Sequence, residues 1–153
     1  MTIPPVLLSV EVDLGPDEAF HHFTAEMGQW WPLATHSLSE KRIKSCGIDP
    51  QVGGQVYEVD VDGKRQIWGT VTRWEPPRVV GFTWHVGREV DTAQYVEVRF
   101  SPTPRGTHVE LEHSGWERLG DEALESREGY ANGWAFVLGT RFVESAQKKV
   151  ASR

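Results

Sequence analysis

The chain has 153 residues, a formal net charge of -6, and 39% hydrophobic against 25% charged residues, the profile of an acidic globular protein that nucleic acid would repel. Such a length suits one domain over residues 1–153, burying about 70% of its unfolded surface around a single core. Its longest apolar runs, such as Val6 to Leu8, fall far short of the roughly 20 residues of a membrane helix, so no integral membrane association is expected.

Val6, Leu8, Val10 and Val12 alternate with Leu7, Ser9 and Glu11, the period of a strand with one buried face. Pro16 at a first helical position, with Asp17 and Glu18 behind it, opens a short helix through Phe23. A second short helix over 24–31 places Met27, Trp30 and Trp31 along one side, and Pro32 closes it. Adjacent helical side chains diverge by about 100°, so one of the two indoles is expected beneath the short helices and the other toward the interior. The loop "LATHSLSE" then crosses the opening.

From residue 42 the pattern is a strand meander. Asp62 and Gly63 read as a two-residue hairpin turn, and Pro76, Pro77 and Arg78 make the next corner. Val80, Phe82, Trp84 and Val86 share one face, as do Val96, Val98 and Phe100. In "THVELEH" Val109, Leu111 and His113 point inward by the same parity. Residues 120–149 form a long helix whose inner stripe is Ala123, Arg127, Tyr130, Trp134, Val137, Leu138 and Arg141, with Phe136 outside it. A sheet of this width with one polar face must bury the other, and one long helix is available to cover it. A twisted sheet curled about a straight rod leaves a wedge of space.

The element order, with "WGTVTRWEPPRVVGFTW", "GTHVELEHSGW" and "GYANGWAFVL", resembles the SRPBCC, or START-like, helix-grip superfamily. Within it the chain is similar to the bacterial family homologous to the activator of the 90-kDa heat-shock protein ATPase, with polyketide-cyclase-like members. The resemblance covers roughly Val6 to Phe142. It implies an α+β helix-grip fold: a curved antiparallel sheet of about seven strands around a long C-terminal helix, with two short helices after the first strand. It also implies a deep apolar cavity between sheet and helix, its mouth near the short helices and hairpin loops.

The inward positions give a candidate ligand-binding lining of Trp31, Tyr57, Trp68, Phe82, Trp84, Val98, His113, Arg127, Tyr130 and Trp134, aromatic walls with a few polar tips. The same residues would also make a well-packed core. His113 is the candidate catalytic acid or base, against the alternative of a structural histidine. Arg127 is placed to bind a carboxylate or phenolate, whereas Arg141 is expected to reach solvent beside Glu144. In "VYEVDVDGKRQIWG" apolar content favours Tyr57, Val59 and Val61 inward and Glu58 outward. A β-bulge would reverse this and make Glu58 a buried carboxylate and a catalytic candidate.

Several chemistries lack their residues. The six histidines include no i, i+4 helical pair and no cysteine partner at metal spacing, so no metal site is expected. No phosphate-cradling or dinucleotide motif occurs, and no cofactor is expected. The single cysteine, Cys46, reads as a half-buried strand residue, and with no secretory signal pattern a cytoplasmic location is expected. The leading functional expectation is binding of a small hydrophobic or aromatic ligand in the cavity, as a carrier or sensor. A cyclase or dehydratase using the same cavity is the alternative. Stimulation of a heat-shock ATPase ranks third, because the chain lacks room for a second, partner-engaging domain.

Overall fold

The computed structural model describes residues 2–153. Strand β1 (Val6–Val12) leads into two short helices, α1 (Pro16–Thr24) and α2 (Met27–Trp30). Strands β2 (Ile43–Ile48), β3 (Gln55–Asp60), β4 (Arg65–Glu75), β5 (Val79–Trp84), β6 (Gln94–Pro102) and β7 (Thr107–Ser114) follow. The chain ends in α3 (Ala123–Phe136), a π-helical turn (Val137–Phe142) and α4 (Val143–Ala151). The strands form one seven-stranded sheet in the order β1-β7-β6-β5-β4-β3-β2, and each neighbouring pair is antiparallel. The sheet curls into a half-barrel about the C-terminal helix, the helix-grip arrangement. No helix among the described residues is long and apolar enough to cross a membrane.

Alternation decides which face closes on the helix. Val80, Phe82 and Trp84 of β5, Val96, Val98 and Phe100 of β6, and Val109, Leu111 and His113 of β7 are all buried, while the residues between them on β6 and β7 are half-buried on the outer face. Extended Gly15 precedes Pro16, with Asp17 and Glu18 in the first turn of α1, where the helix dipole favours acidic groups. Trp31 is extended, as a residue before proline must tend to be, and it ends α2.

The inner stripe of the long helix departs from the expected one at its end. The π turn inserts a wider coil, so Phe142 and Ala146 are fully buried, whereas Arg141 is half-buried. Phe142 packs beneath the short helices against Phe23 and Trp30, at ring centroid separations of 5.6 and 5.1 Å.

The β3–β4 connection also corrects the sequence expectation. It is a loop over residues 61–64 and not a two-residue turn. The Asp60 carboxylate accepts the backbone N–H groups of Asp62 and Lys64 at 2.9 and 3.0 Å, and Gly63 has a positive φ of +81°. Val61 is consequently exposed, Tyr57 and Val59 stand on the outer, half-buried side, and Val56, Glu58 and Asp60 turn inward. A bulge on β4 accompanies this parity. Val56 pairs with Gly69 and Tyr57 with Ile67, leaving Trp68 as the extra residue. Gly69 is required next to it, because a Cβ there would lie 1.7 Å from the Thr83 carbonyl oxygen. Gly69→Ala is expected to cost about 2 kcal/mol or more through backbone displacement; urea denaturation showing a loss below about 0.5 kcal/mol would contradict the close approach.

Candidate functional site

Between the sheet, the C-terminal helix and the loop after α2 lies a cavity of about 260 Å³. Its walls are Trp31, Trp68, Trp84 and Trp134, with Tyr130, Val86, Val137 and Gly133 beside them and Thr35, His36 and Ser37 at the loop side. The indoles contact one another in a ring: Trp31 lies 5.0 Å from Trp68 and 5.8 Å from Trp134, and Trp84 lies 5.6 Å from Trp68 and 5.4 Å from Trp134. Tilted and edge-on arrangements of this kind suit the quadrupoles of aromatic rings.

Adjacent residues Trp30 and Trp31 separate as helical geometry requires. Trp30 sits under the short helices against Phe23, its indole N–H bonded to the His22 carbonyl at 2.9 Å. Trp31 faces the cavity.

Each wall but one is oriented by a polar partner. The Trp31 N–H donates to the His36 carbonyl at 2.8 Å, tying the wall to the loop. Trp68 donates to Glu58 Oε1 at 2.7 Å, and Trp134 to His113 Nδ1 at 3.0 Å. The Trp84 Nε1–H is buried with no hydrogen-bond partner among the described residues, which costs about 1–3 kcal/mol for a donor removed from water. Tyr130 lies beside it, with ring centroids 6.3 Å apart. Burial raises the Tyr130 phenol, and the nearby Trp84 N–H opposes that shift without forming a hydrogen bond of normal geometry. The phenol therefore stays protonated at neutral pH.

Glu58, expected outward, is fully buried. Its Oε1 accepts the Leu38 amide as well as the Trp68 indole, both at 2.7 Å, and its Oε2 accepts the Ser39 amide at 2.7 Å. One carboxylate thus fixes both a wall and the loop that roofs it. With both oxygens engaged, Glu58 is a positioning group. Cys46 on neighbouring β2 is inert: burial, and to a lesser degree Glu58, push its thiol up to about 12.

His113 is corrected in the other direction. It is fully buried, stacks on Trp116 at 4.1 Å and does not line the cavity. Because Nδ1 accepts from Trp134, Nε2 carries the proton and donates to Gln94 Oε1 at 3.2 Å. Burial pushes its pKa down to about 3. It is a neutral prop for Trp134, with neither nitrogen available for acid–base work at neutral pH.

Of the expected lining, the structure brings Trp31, Trp68, Trp84, Tyr130 and Trp134 together around the cavity. Phe82 and Val98 are core residues outside it. Tyr57 is on the outer face beneath the Arg65 guanidinium, 3.5 Å above its ring. Arg127 does not line the cavity; it donates to the carbonyls of Pro4 and Pro5 at 2.6 and 2.9 Å, anchoring the N-terminal segment. Arg141 donates to the Trp30 carbonyl at 3.3 Å rather than pairing with Glu144. Phe136, unplaced by periodicity, packs on His36 with centroids 5.4 Å apart. Sequence reasoning missed Thr35, His36, Ser37, Val86, Gly133 and Val137 as lining residues. Val86 and Val137 carried the inward periodicity of their elements and the loop holding Thr35 to Ser37 was expected across the opening, whereas Gly133 carried a weaker signal, a glycine in mid-helix one residue before an inward Trp. Among the described residues no group of three or more His, Cys, Asp or Glu is placed to hold a metal ion.

Two predictions follow from these supports. Glu58→Gln turns an NH₂ group toward an N–H donor, so stability should fall by about 1–3 kcal/mol, and hydrogen exchange at the Leu38 and Ser39 amides should accelerate; unchanged exchange there would refute the anchoring. His113 is neutral in both states above pH 6.5. Below that, the unfolded chain takes a proton that the folded chain refuses until about pH 3, so stability should drop by about 1.4 kcal/mol per pH unit from this group. Buried His22, whose pKa is also lowered by burial, adds to the loss in the same direction. In His113→Gln the slope of the urea midpoint between pH 6 and 4 should be shallower, and an unaltered slope would count against the neutral state.

Known proteins resemble the chain over most of its length. The family model described as activator of Hsp90 ATPase homolog 1-like protein matches residues 13–146. No curated protein matches in sequence. Among solved structures, an anthrahydroquino-γ-pyrone synthase, Txn09, is 32% identical, with 94% of this chain and 97% of that chain covered and a TM-score of 0.63. MLL2253 from Mesorhizobium loti is 19% identical over 95% of this chain and 97% of its own, with a TM-score of 0.66. CalU16 from Micromonospora echinospora is 21% identical over 94% and 77%, with a TM-score of 0.61. With a family model spanning most of its sheet and helix, and a 32% identical relative aligned nearly end to end, the chain belongs to the family of activator of Hsp90 ATPase homolog 1-like proteins within the SRPBCC superfamily.

Proposed function

We propose that the protein binds a small planar aromatic molecule in the tryptophan-walled cavity. The observation that carries this reading is Gly133. It lies on the cavity side of α3, and a Cβ built there meets nothing within 4 Å. Glycine in a helix interior is about 1 kcal/mol less favourable than alanine, and Gly133, the glycine among the lining residues, forgoes that stability where a side chain would occupy cavity space. The volume, about 260 Å³, is near the lower end of ligand pockets and suits a few fused rings. Apolar walls with few polar groups favour an uncharged guest.

A second reading, that the guest is cyclised there, draws on the name of the 32% identical relative, a synthase. Side chains from loop, strands and helix surround the cavity and would keep water from a reactive intermediate. Under this reading a bound polyketide-like substrate is consumed; under the carrier reading it is recovered unchanged by mass spectrometry.

Fluorene, a planar apolar tricycle, serves as the probe. Gly133→Ala should raise the melting temperature and weaken fluorene binding, and Gly133→Leu should abolish binding in a folded protein. Gly133→Leu binding fluorene as tightly as the parent would overturn the assignment of the cavity.

A further inference from the structure

We propose that the Trp84 N–H and the Tyr130 hydroxyl form a donor pair for one neutral carbonyl oxygen of the guest, making the ligand class aryl ketones and quinones. This rests on the cavity being a ligand site and adds the chemistry it recognises. Four indoles line the cavity, and three have their N–H groups engaged by His36, Glu58 and His113. Trp84 is 3% exposed, and its N–H has no partner among the described residues. A buried unsatisfied donor in a folded protein calls for an explanation, and an acceptor carried by a guest supplies one.

Tyr130 is the second donor. It comes from α3 and lies beside Trp84 of β5, ring centroids 6.3 Å apart, so donors from two different elements stand close together. Among the described residues its hydroxyl lies near the Trp84 N–H, which makes no hydrogen bond of normal geometry. Raised by burial, the phenol is a donor at neutral pH. An indole N–H can only donate, so the shared partner must be an acceptor. A neutral oxygen fits better than an anionic one. Among the described residues no lysine or arginine lines the cavity, and the Glu58 carboxylate is bonded to the Trp68 wall, where it would repel a phenolate. Two donors converging on a carbonyl also polarise it, which would matter equally for holding a ketone and for cyclising onto one.

The experiment compares fluorene with 9-fluorenone, which share a planar frame and differ by a carbonyl oxygen. Isothermal titration calorimetry on the intact chain should show 9-fluorenone binding about tenfold more tightly, with a red-shifted C=O stretch in the infrared spectrum of the complex. In Tyr130→Phe the ratio of 9-fluorenone to fluorene affinity should shrink about fivefold, and Trp84→Phe should remove the carbonyl shift. Equal affinity of the parent for both compounds would overturn the donor pair and leave the cavity assignment standing. Binding of neither would overturn the cavity assignment and the donor pair together. Circular dichroism of each variant confirms that the comparison is made on folded protein.

Discussion

An indole has one hydrogen to donate and nothing to accept with, and burying it forces the fold to bring an acceptor to a fixed place. Around this cavity that demand is met by a backbone carbonyl in the roof loop, a carboxylate on β3 and a histidine on β7. Each acceptor is then committed further: Glu58 to two loop amides, and His113 to Gln94, whose side-chain amide donates to the Thr92 carbonyl at 2.7 Å. The walls are oriented by polar geometry, and aromatic packing fills in behind. A core of the same composition without those acceptors would be free to let its rings collapse into the space.

The architecture was legible because it rests on periodicity. Alternation in β5, β6 and β7 and the apolar stripe of α3 are local patterns, and the curled sheet with a single covering helix follows from them. Trp31, Trp68, Trp84, Tyr130 and Trp134 could therefore be placed toward the interior. Patterns failed where one residue was inserted. The extra residue Trp68 on β4 and the Asp60-capped loop set the parity of β3, so that apolar content pointed to Tyr57 when the buried side chain was Glu58. The π turn did the same to the helix, exchanging Arg141 for Phe142.

Inward direction is also not the same as reaching the cavity. His113 and Val98 are inward, yet other rings stand between them and the open volume, and His113 is sealed by Trp116 on one face. Arg127 reads as an interior cation on a helical wheel, but its long side chain runs to the carbonyls of Pro4 and Pro5. Such choices depend on residues more than 100 positions away. Gly133 is the reverse case, a position defined by what it lacks. Its meaning emerges only once the surrounding rings are in place.

Fixing a ring by its N–H also limits how far it can yield. Trp31, Trp68 and Trp134 cannot tilt aside without breaking a hydrogen bond in a site with little water to replace it. For a guest bound as proposed, the slot between them would select by molecular thickness. A puckered or methyl-studded skeleton of equal mass would have to rupture the roof attachment at Glu58, whereas a slim sheet of atoms would leave every support standing.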